Sequence, residues 1–599
     1  MTKKIFWVVS FLILLSLVIA SCGTKSGESG TAVQGETVKV KLTTRDGATV
    51  TKTVPKPIYG GTVTTALAAD YGQWDPYHNQ TIRVDHLQFT SNEMIGGDWT
   101  KGPQGTGDTD WALGWLGDMK VIAPELCSWS LPNDTTIIWN LKKGVKFQNK
   151  APAFGREMTA DDIIWNFEYQ FNNQGTWQNM EYPVGNPMRP VSWKATDKYT
   201  VEVKFQSADA QSLMLPEMGD NMYFSPPEVW TSGGDMNDWK KAIGTGPWLL
   251  TDYVSGNYVT YARNPDYFET DPIYASTGTK YKWPYLDGFK QLIIPDLSSR
   301  LAALRTAKID FLGSVDAEDA AQLMSEIPSL KNKQGFAMAP MIAAGLLSQA
   351  PFSDINVRRA MNMAVNKQAI VDNYFKGQAA LVGYHYPPGK SWAKVYTPLE
   401  ELPIDVQELF KYNPDKAKQL LKDAGYPDGF KTTINCQAEM ADYASIIKED
   451  LAKVNIDLTI KPLEGGAFFG VWMGMPHKYD GMLFAPGLGS WEGVEILMTR
   501  KGMTPNFAEI DDPYFDGLKD SIAKWVLKDP DKMLAAKKAA NVHELGLAWG
   551  IFMPAQYQYF LWYPWMVNYH GVNWLGGAGT WDWTKGVFID QNMKKSMGH

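Results

Sequence analysis

"LCSWSLPNDTTIIWNLKKGVKFQN" (126–149), followed shortly by "MTADDIIWNFEY" (158–169), is the stretch on which the fold turns. Residues 135–147 alternate apolar and polar side chains, the period of a half-buried strand. Thr159-Ala160-Asp161-Asp162 then sets a hydroxyl three residues ahead of a carboxylate. That is a capping box, and it opens a helix at Ile163-Ile164-Trp165. "YTVEVKF" (199–205) returns to strand alternation. Strand, helix and strand in succession point to a mixed α/β chain.

The same alternation extends outward. "GGTVTTALAAD" (60–70) reads as a strand, and Gly244-Thr245-Gly246-Pro247 as a tight turn feeding a strand from Trp248, with Arg263-Asn264-Pro265 ending the hairpin. "NPDKAKQLLKDAG" places Asn413 as cap, Pro414 in the first turn and Gly425 just past the end of a helix. "INVRRAMNMAVNKQAIVDNYFKG" (355–377) reads as two helices, the second re-capped at Asn366. Near the start, residues 38–54 form two alternating stretches around Asp46-Gly47, a predicted β-hairpin. An isolated hairpin is marginal in water, so this one docks or frays.

The chain has 599 residues, well past the 250 to 300 at which a single core stops growing, and at least two lobes are expected. Charged residues make up 20% and hydrophobic ones 44%, and after the first twenty positions no apolar run is long enough to cross a bilayer. The net charge of -8 is spread along the chain and leaves no basic footprint for nucleic acid. Residues 1–21 combine Lys3-Lys4, a short apolar run and small residues, the pattern of an export signal. Val18-Ile19-Ala20-Ser21-Cys22 resembles a bacterial lipobox, which implies acylation of Cys22. Residues 23–35 are polar and Gly-rich, a flexible tether leading to the hairpin, so that 22–57 form a linking region. Cys127 and Cys436 either pair or stay as buried thiols.

Enzyme signatures fail one by one. "HELGL" at His543 begins like a zinc-protease helix, but Leu547 stands where the second ligand belongs. Seven scattered histidines make no metal cluster, and no catalytic residue, metal or cofactor is expected. "GLGSWEG" (487–493) misses both the nucleophile elbow and the dinucleotide fingerprint. Asp161-Asp162 and Asp511-Asp512 read as a helix cap and a turn before a glycosidase pair. There is no phosphate loop, so any ATP hydrolysis belongs to a partner.

The opening stretch, together with "GTGPWLLTDYVSGNYVTYARNPDYF" (244–268), "LDGFKQLIIPDLSSRLAALRTAKIDF" (286–311), "PFSDINVRRAMNMAVNKQAIV" (351–371) and "YNPDKAKQLLKDAGYPDGF" (412–430), resembles the family 5 extracytoplasmic solute-binding proteins of ABC importers, the oligopeptide, dipeptide and nickel-binding type. The resemblance covers most of residues 58–565. It implies a two-lobed, periplasmic-binding-protein-like α/β fold with a hinge and an extra subdomain. The first lobe would take 58–90, 230–340 and 560–599, the subdomain 91–229 and the second lobe 341–559. It further implies a monomeric receptor that captures an oligomeric solute between its lobes and passes it to an ABC permease with its ATPase subunits. A lipid on Cys22 would hold that receptor at the outer face of a membrane or in the periplasm. An extracytoplasmic hydrolase of oligosaccharides or peptides is the alternative.

For the ligand, the resemblance implies a strand such as 479–485 followed by an aspartate that pairs with a peptide's α-amine. A charged amine taken out of water needs such a partner. This chain continues Pro486-Gly-Leu-Gly-Ser-Trp491-Glu492 instead, without the aspartate and with Glu492 as a substitute slightly further on. A ligand lacking a free amine, such as an oligosaccharide stacked on aromatic rings, suits that change. The candidate contacts are Trp74, Tyr77, Phe468, Trp491, Glu492 and Tyr557, from stretches that face the cleft in the family. The family favours peptides and the missing aspartate favours neutral oligomers, with a slight lean toward the latter. Low histidine content argues against nickel.

Overall fold

A computed structural model of the chain describes residues 36–71, 74–77, 87–111, 117–220, 222–336, 340–486, 506–573, 575 and 581–599. The strand predicted at 60–70 occupies Thr62–Leu67, where Val63 and Thr65 turn inward while Thr62 is exposed. It lies at the centre of an eight-stranded mixed sheet, parallel to Gly288–Ile293 on one side and to Phe311–Val315 on the other. The hairpin Trp248–Val254 with Tyr258–Arg263 extends one edge, and Ala555–Trp562 with Lys331–Phe336 extends the other. The Gly-Thr-Gly-Pro turn has a packing reason. A Cβ on Gly246 would stand 2.4 Å from the Thr90 carbonyl carbon, so only glycine lets these backbones touch.

The opening stretch builds the additional subdomain on this lobe. Cys127–Asn133, Thr136–Leu141, Thr200–Lys204 and Ser192–Asp197 form a four-stranded antiparallel sheet. The helix Ala160–Asn172 starts where the capping box predicts, with the Thr159 amide donating to Asp162 Oδ2 at 2.8 Å. Its Ile163, Phe167 and Phe171 are fully buried at helical spacing. The strand expected over 135–147 stops at Leu141, because the chain turns at Gly144 (φ +79°) and only Lys146 bridges onward, to Glu157. Subdomain and first lobe share one continuous apolar core.

The second lobe centres on a five-stranded sheet in the order Ile456–Leu463, Phe430–Gln437, Met482–Pro486, Met341–Gly345, Ile551–Phe552. Strand periodicity divides its core in two. Ile342, Ala344, Leu483 and Ala485 face one apolar cluster, while Ala343, Met482 and Phe484 face the other. The helix Pro414–Asp423 is capped by Asn413, which accepts from the Lys416 amide at 3.0 Å, and Gly425 follows at φ +91°. Ile355–Ala364 ends as expected, and Asn366 caps the next turn by accepting from the Ala369 amide. Among the described residues the chain passes from one lobe's sheet to the other's between Phe336 and Met341 and between Phe552 and Ala555, and Ala379–Ala380 of the second-lobe stretch pairs with the start of Ala555–Trp562.

The predicted hairpin forms, Thr37–Thr43 against Thr49–Pro55, with Gly47 at φ +90° in its turn. It docks: Val40, Leu42 and Val54 are buried in the first-lobe core. Cys127 and Cys436 are free, buried thiols in different lobes. Among the described residues no helix is long and apolar enough to cross a membrane. Cys22 and the export-signal pattern lie outside the described residues.

Candidate functional site

The lobes face each other between two unlike sets of contacts. At one end are the two chain crossings. Phe336 and Tyr557 are register partners across the last first-lobe strands, their rings 4.5 Å apart, and Trp392 of the second lobe packs edge-on to Phe336. The Tyr557 amide donates to the Gln378 carbonyl at 2.9 Å. Gly383 presses so tightly on the crossing that an added Cβ would lie 2.2 Å from the Ala555 Cβ. Pro486 pairs with Met341, the first second-lobe residue after a crossing, so the strand that precedes the expected ligand loop ends here.

At the other end the contacts are polar. Thr109 and Ser391 hydroxyls meet at 3.2 Å, and Ser391 also donates to Asp110. Beside them Asp531, in the first turn of the helix Pro530–Gly546, accepts from Lys394 at 2.6 Å within its own lobe. It also accepts from Lys120 and from Arg45 of the hairpin, each at 2.8 Å, across the gap. Hydrogen bonds from Lys120 and Lys394, with Arg45 adding to them, hold the Asp531 carboxyl well below the usual carboxylate range. Met119 and Leu213 add apolar contact by packing against the second-lobe core.

Among the described candidate contacts, Trp74, Tyr77, Phe468 and Tyr557 have separate surroundings. Trp74 is buried in the first lobe between the rings of Tyr71 and Tyr253, and its amide donates to Asn237. Tyr77 lies against the subdomain, stacked on Trp230 at 5.0 Å, with its hydroxyl bonded to Asn166 and accepting from the Ser225 amide. Burial raises the pKa of that phenol above its ordinary value. Phe468 is buried in the second-lobe core on the helix Gly465–Trp472. Tyr557 is half-buried at the crossing. Trp491 and Glu492 lie outside the described residues.

The residues weighed for hydrolysis are occupied structurally. Asp162 takes two hydrogen bonds from Arg156, at 2.9 and 2.6 Å, besides capping its helix. His543 contacts Asp512 at 2.9 Å and stacks on Tyr514. Among the described residues no group of three or more His, Cys, Asp or Glu is placed to hold a metal ion. Sequence reading did not find the polar end of the cleft. Asp529-Pro530-Asp531 signals only a helix start, with Asp529 as the cap, and nothing in the chain marks Asp531 as a partner of residues hundreds of positions away.

Comparison with known proteins bears on the whole arrangement. The model of the bacterial extracellular solute-binding proteins, family 5, middle region, matches residues 111–495. Heme-binding protein A of Haemophilus influenzae is 26% identical over 409 residues, covering 62% of this chain and 69% of that protein. Di/tripeptide-binding protein 1 of Pseudomonas aeruginosa is 26% identical over 400 residues, covering 63% and 68%. The ABC transporter-associated periplasmic binding protein DppA from Helicobacter pylori, in complex with the peptide STSA, superposes with a TM-score of 0.67 at 20% identity, covering 89% of this chain and 99% of that one.

Proposed function

The chain belongs to the bacterial extracellular solute-binding proteins of family 5, transport receptors and not enzymes, and from that premise we propose that its solute is a short peptide or an oligomer of similar size. It is an extracytoplasmic substrate-binding component of an ABC transporter and captures its solute between two lobes. The observation that carries the reading is the family match over residues 111–495, together with two lobes joined at 336–341 and 552–555. Ligand bridging both lobes favours the closed arrangement by its differential contacts.

Within that class the relatives' names support a peptide, since several are di- or tripeptide-binding proteins. The second reading, a neutral oligomer such as an oligosaccharide, is favoured by the absence of an aspartate after Pro486. The domain boundaries stand as a proposal: the crossing at 336–341 supports the limit at 340, whereas Ala555–Trp562 is one strand of the first-lobe sheet, which moves the limit at 560 back to about 553. Tyr557 and the Trp491–Glu492 pair are the ligand contacts we favour, because Tyr557 lies at the crossing and the strand leading to the pair ends beside it. Trp74, Tyr77 and Phe468 stay in the proposal as the less favoured contacts, since each is buried within its own lobe. The lipid anchor at Cys22 and monomeric action also belong to the proposal.

Mass spectrometry of solute released from the denatured, natively produced protein identifies the class. A peptide whose affinity collapses in Glu492→Gln establishes the first reading. Tryptophan quenching by oligosaccharides and not by peptides establishes the second. For the anchor, Cys22→Ser should release the protein from membranes or leave it uncleaved, and a natively produced chain without acyl groups rules the lipid out.

A further inference from the structure

The hairpin at 37–55 has no role in the reading above, yet it touches both lobes. Its body is fixed to the first lobe by the buried Val40, Leu42 and Val54. Polar bonds add to that: the Lys41 amide to Ser276, the Tyr274 hydroxyl to the Pro55 carbonyl, and Lys101 to the Thr43 carbonyl at 2.7 Å. Its tip projects beyond this base. The Thr44–Gly47 turn closes on itself, and the Arg45 amide donates to Asp108, which fixes where the Arg45 side chain begins. That side chain is 6% exposed and reaches Asp118 on the first-lobe side and Asp531 on the second.

We propose that this hairpin is a strap that holds the lobes closed: its Arg45, with Lys120 beside it, clasps Asp531 and populates the closed arrangement before solute arrives. Closure gains bonds that the parted lobes do not make. When the lobes part, Arg45 keeps Asp118 and Asp46, and Asp531 keeps Lys394, all on their own sides. Of the ion pairs on Asp531, Arg45–Asp531 and Lys120–Asp531 are the ones lost. Because the free partners stay charged in either state, those two pairs act on the open–closed balance and leave the folding of each lobe alone. Burial disfavours the Arg45 charge, but hydrogen bonds to Asp118 and Asp531 outweigh it and keep the guanidinium pKa above its ordinary value. Asp531 also sits at a helix N-terminus, where a negative charge is favoured. An exposed pair contributes about 0.2–1 kcal/mol, and a network more. Two pairs sharing one carboxylate therefore shift the balance about two- to thirty-fold, at 1.4 kcal/mol per tenfold. The strap claim rests on the two-lobed architecture and not on the identity of the solute.

The test needs no solute. Spin labels at Lys308→Cys in the first lobe and Lys418→Cys in the second, both exposed positions, report the inter-lobe distance distribution of the ligand-free chain. In otherwise unchanged protein a short-distance population is expected. Asp531→Asn, which removes both pairs, should lower it about two- to thirty-fold, Arg45→Met, which removes one of them, about one-and-a-half- to five-fold, and the double variant should do no more than Asp531→Asn. Lys394→Met, which removes a bond within one lobe, should leave it in place; Asp531→Asn and Lys394→Met should melt alike, and Arg45→Met, which also strips the buried Asp118 of its partner, should melt lower. A short-distance population unchanged in Arg45→Met and Asp531→Asn overturns the strap, as does its absence from the unsubstituted protein. Neither result touches the solute-binding role, which ligand titration reads separately.

Discussion

The two ends of the cleft differ in kind. At the crossings, apolar rings and crowded backbone meet: Phe336 on Tyr557, Gly383 on Ala555, and Phe552 beneath them against Tyr384 and Trp549. At the far end, the most prominent contacts are a nearly half-exposed carboxylate shared by three cations and a pair of hydroxyls. Close packing cannot be released by degrees, since a gap forfeits contacts at once. Ionic contacts near water exchange for hydration at little net cost. The first end is therefore suited to be a pivot and the second a clasp, which is the division of labour that capture and release require.

That contrast can be broken at the pivot first. Trp549→Ala empties a site enclosed by Tyr384, Phe507 and Phe552 and should cost about 3–5 kcal/mol, read from denaturant unfolding. Gly383→Val drives a side chain into Ala555 and should cost about 1–3 kcal/mol. If the clasp variant Asp531→Asn destabilised the chain as much as either, the two ends would not differ as described.

Titration sharpens the comparison. Lys367 is buried in the second lobe, where desolvation lowers its pKa to about 7 and its ammonium donates to the Asn362 and Leu409 carbonyls. The unfolded chain keeps that proton up to the ordinary lysine range, so between about 7 and that range the unfolded state binds more protons. Stability of the second lobe should rise with pH across that window, and Lys367→Met should remove the rise. Asp531 behaves oppositely. Its depressed pKa means that its contribution is present above the ordinary carboxylate value and is lost only as pH falls below it, so the clasp should not respond near neutrality. The smallest effect is expected at Lys394→Met, under about 1 kcal/mol, since both partners are nearly half exposed.

The elements of the fold were far more legible in the sequence than the clasp. Strands, caps and turns announce themselves through local chemistry, as at Thr159–Asp162, Asn413–Gly425 and Asp46-Gly47, and the family's motif order supplied the lobes. Where local signals and neighbours disagreed, the neighbours decided: the strand after Thr135 ends early at a left-handed glycine. The clasp joins residues 45, 120, 394 and 531, each an ordinary surface charge when read alone. Aromatic candidates suffered from the same ambiguity, because Trp74 and Phe468 at an expected cleft stretch look no different in sequence from core residues.

Native mass spectrometry of the purified chain, incubated with mixed short peptides and oligosaccharides, tests the capture of solute between the lobes most directly. The expected spectrum shows the protein with one intact solute molecule, and the solute masses free in solution do not change with time. Shortened products accumulating in that solution, or a protein that takes up nothing from either mixture, would contradict the account.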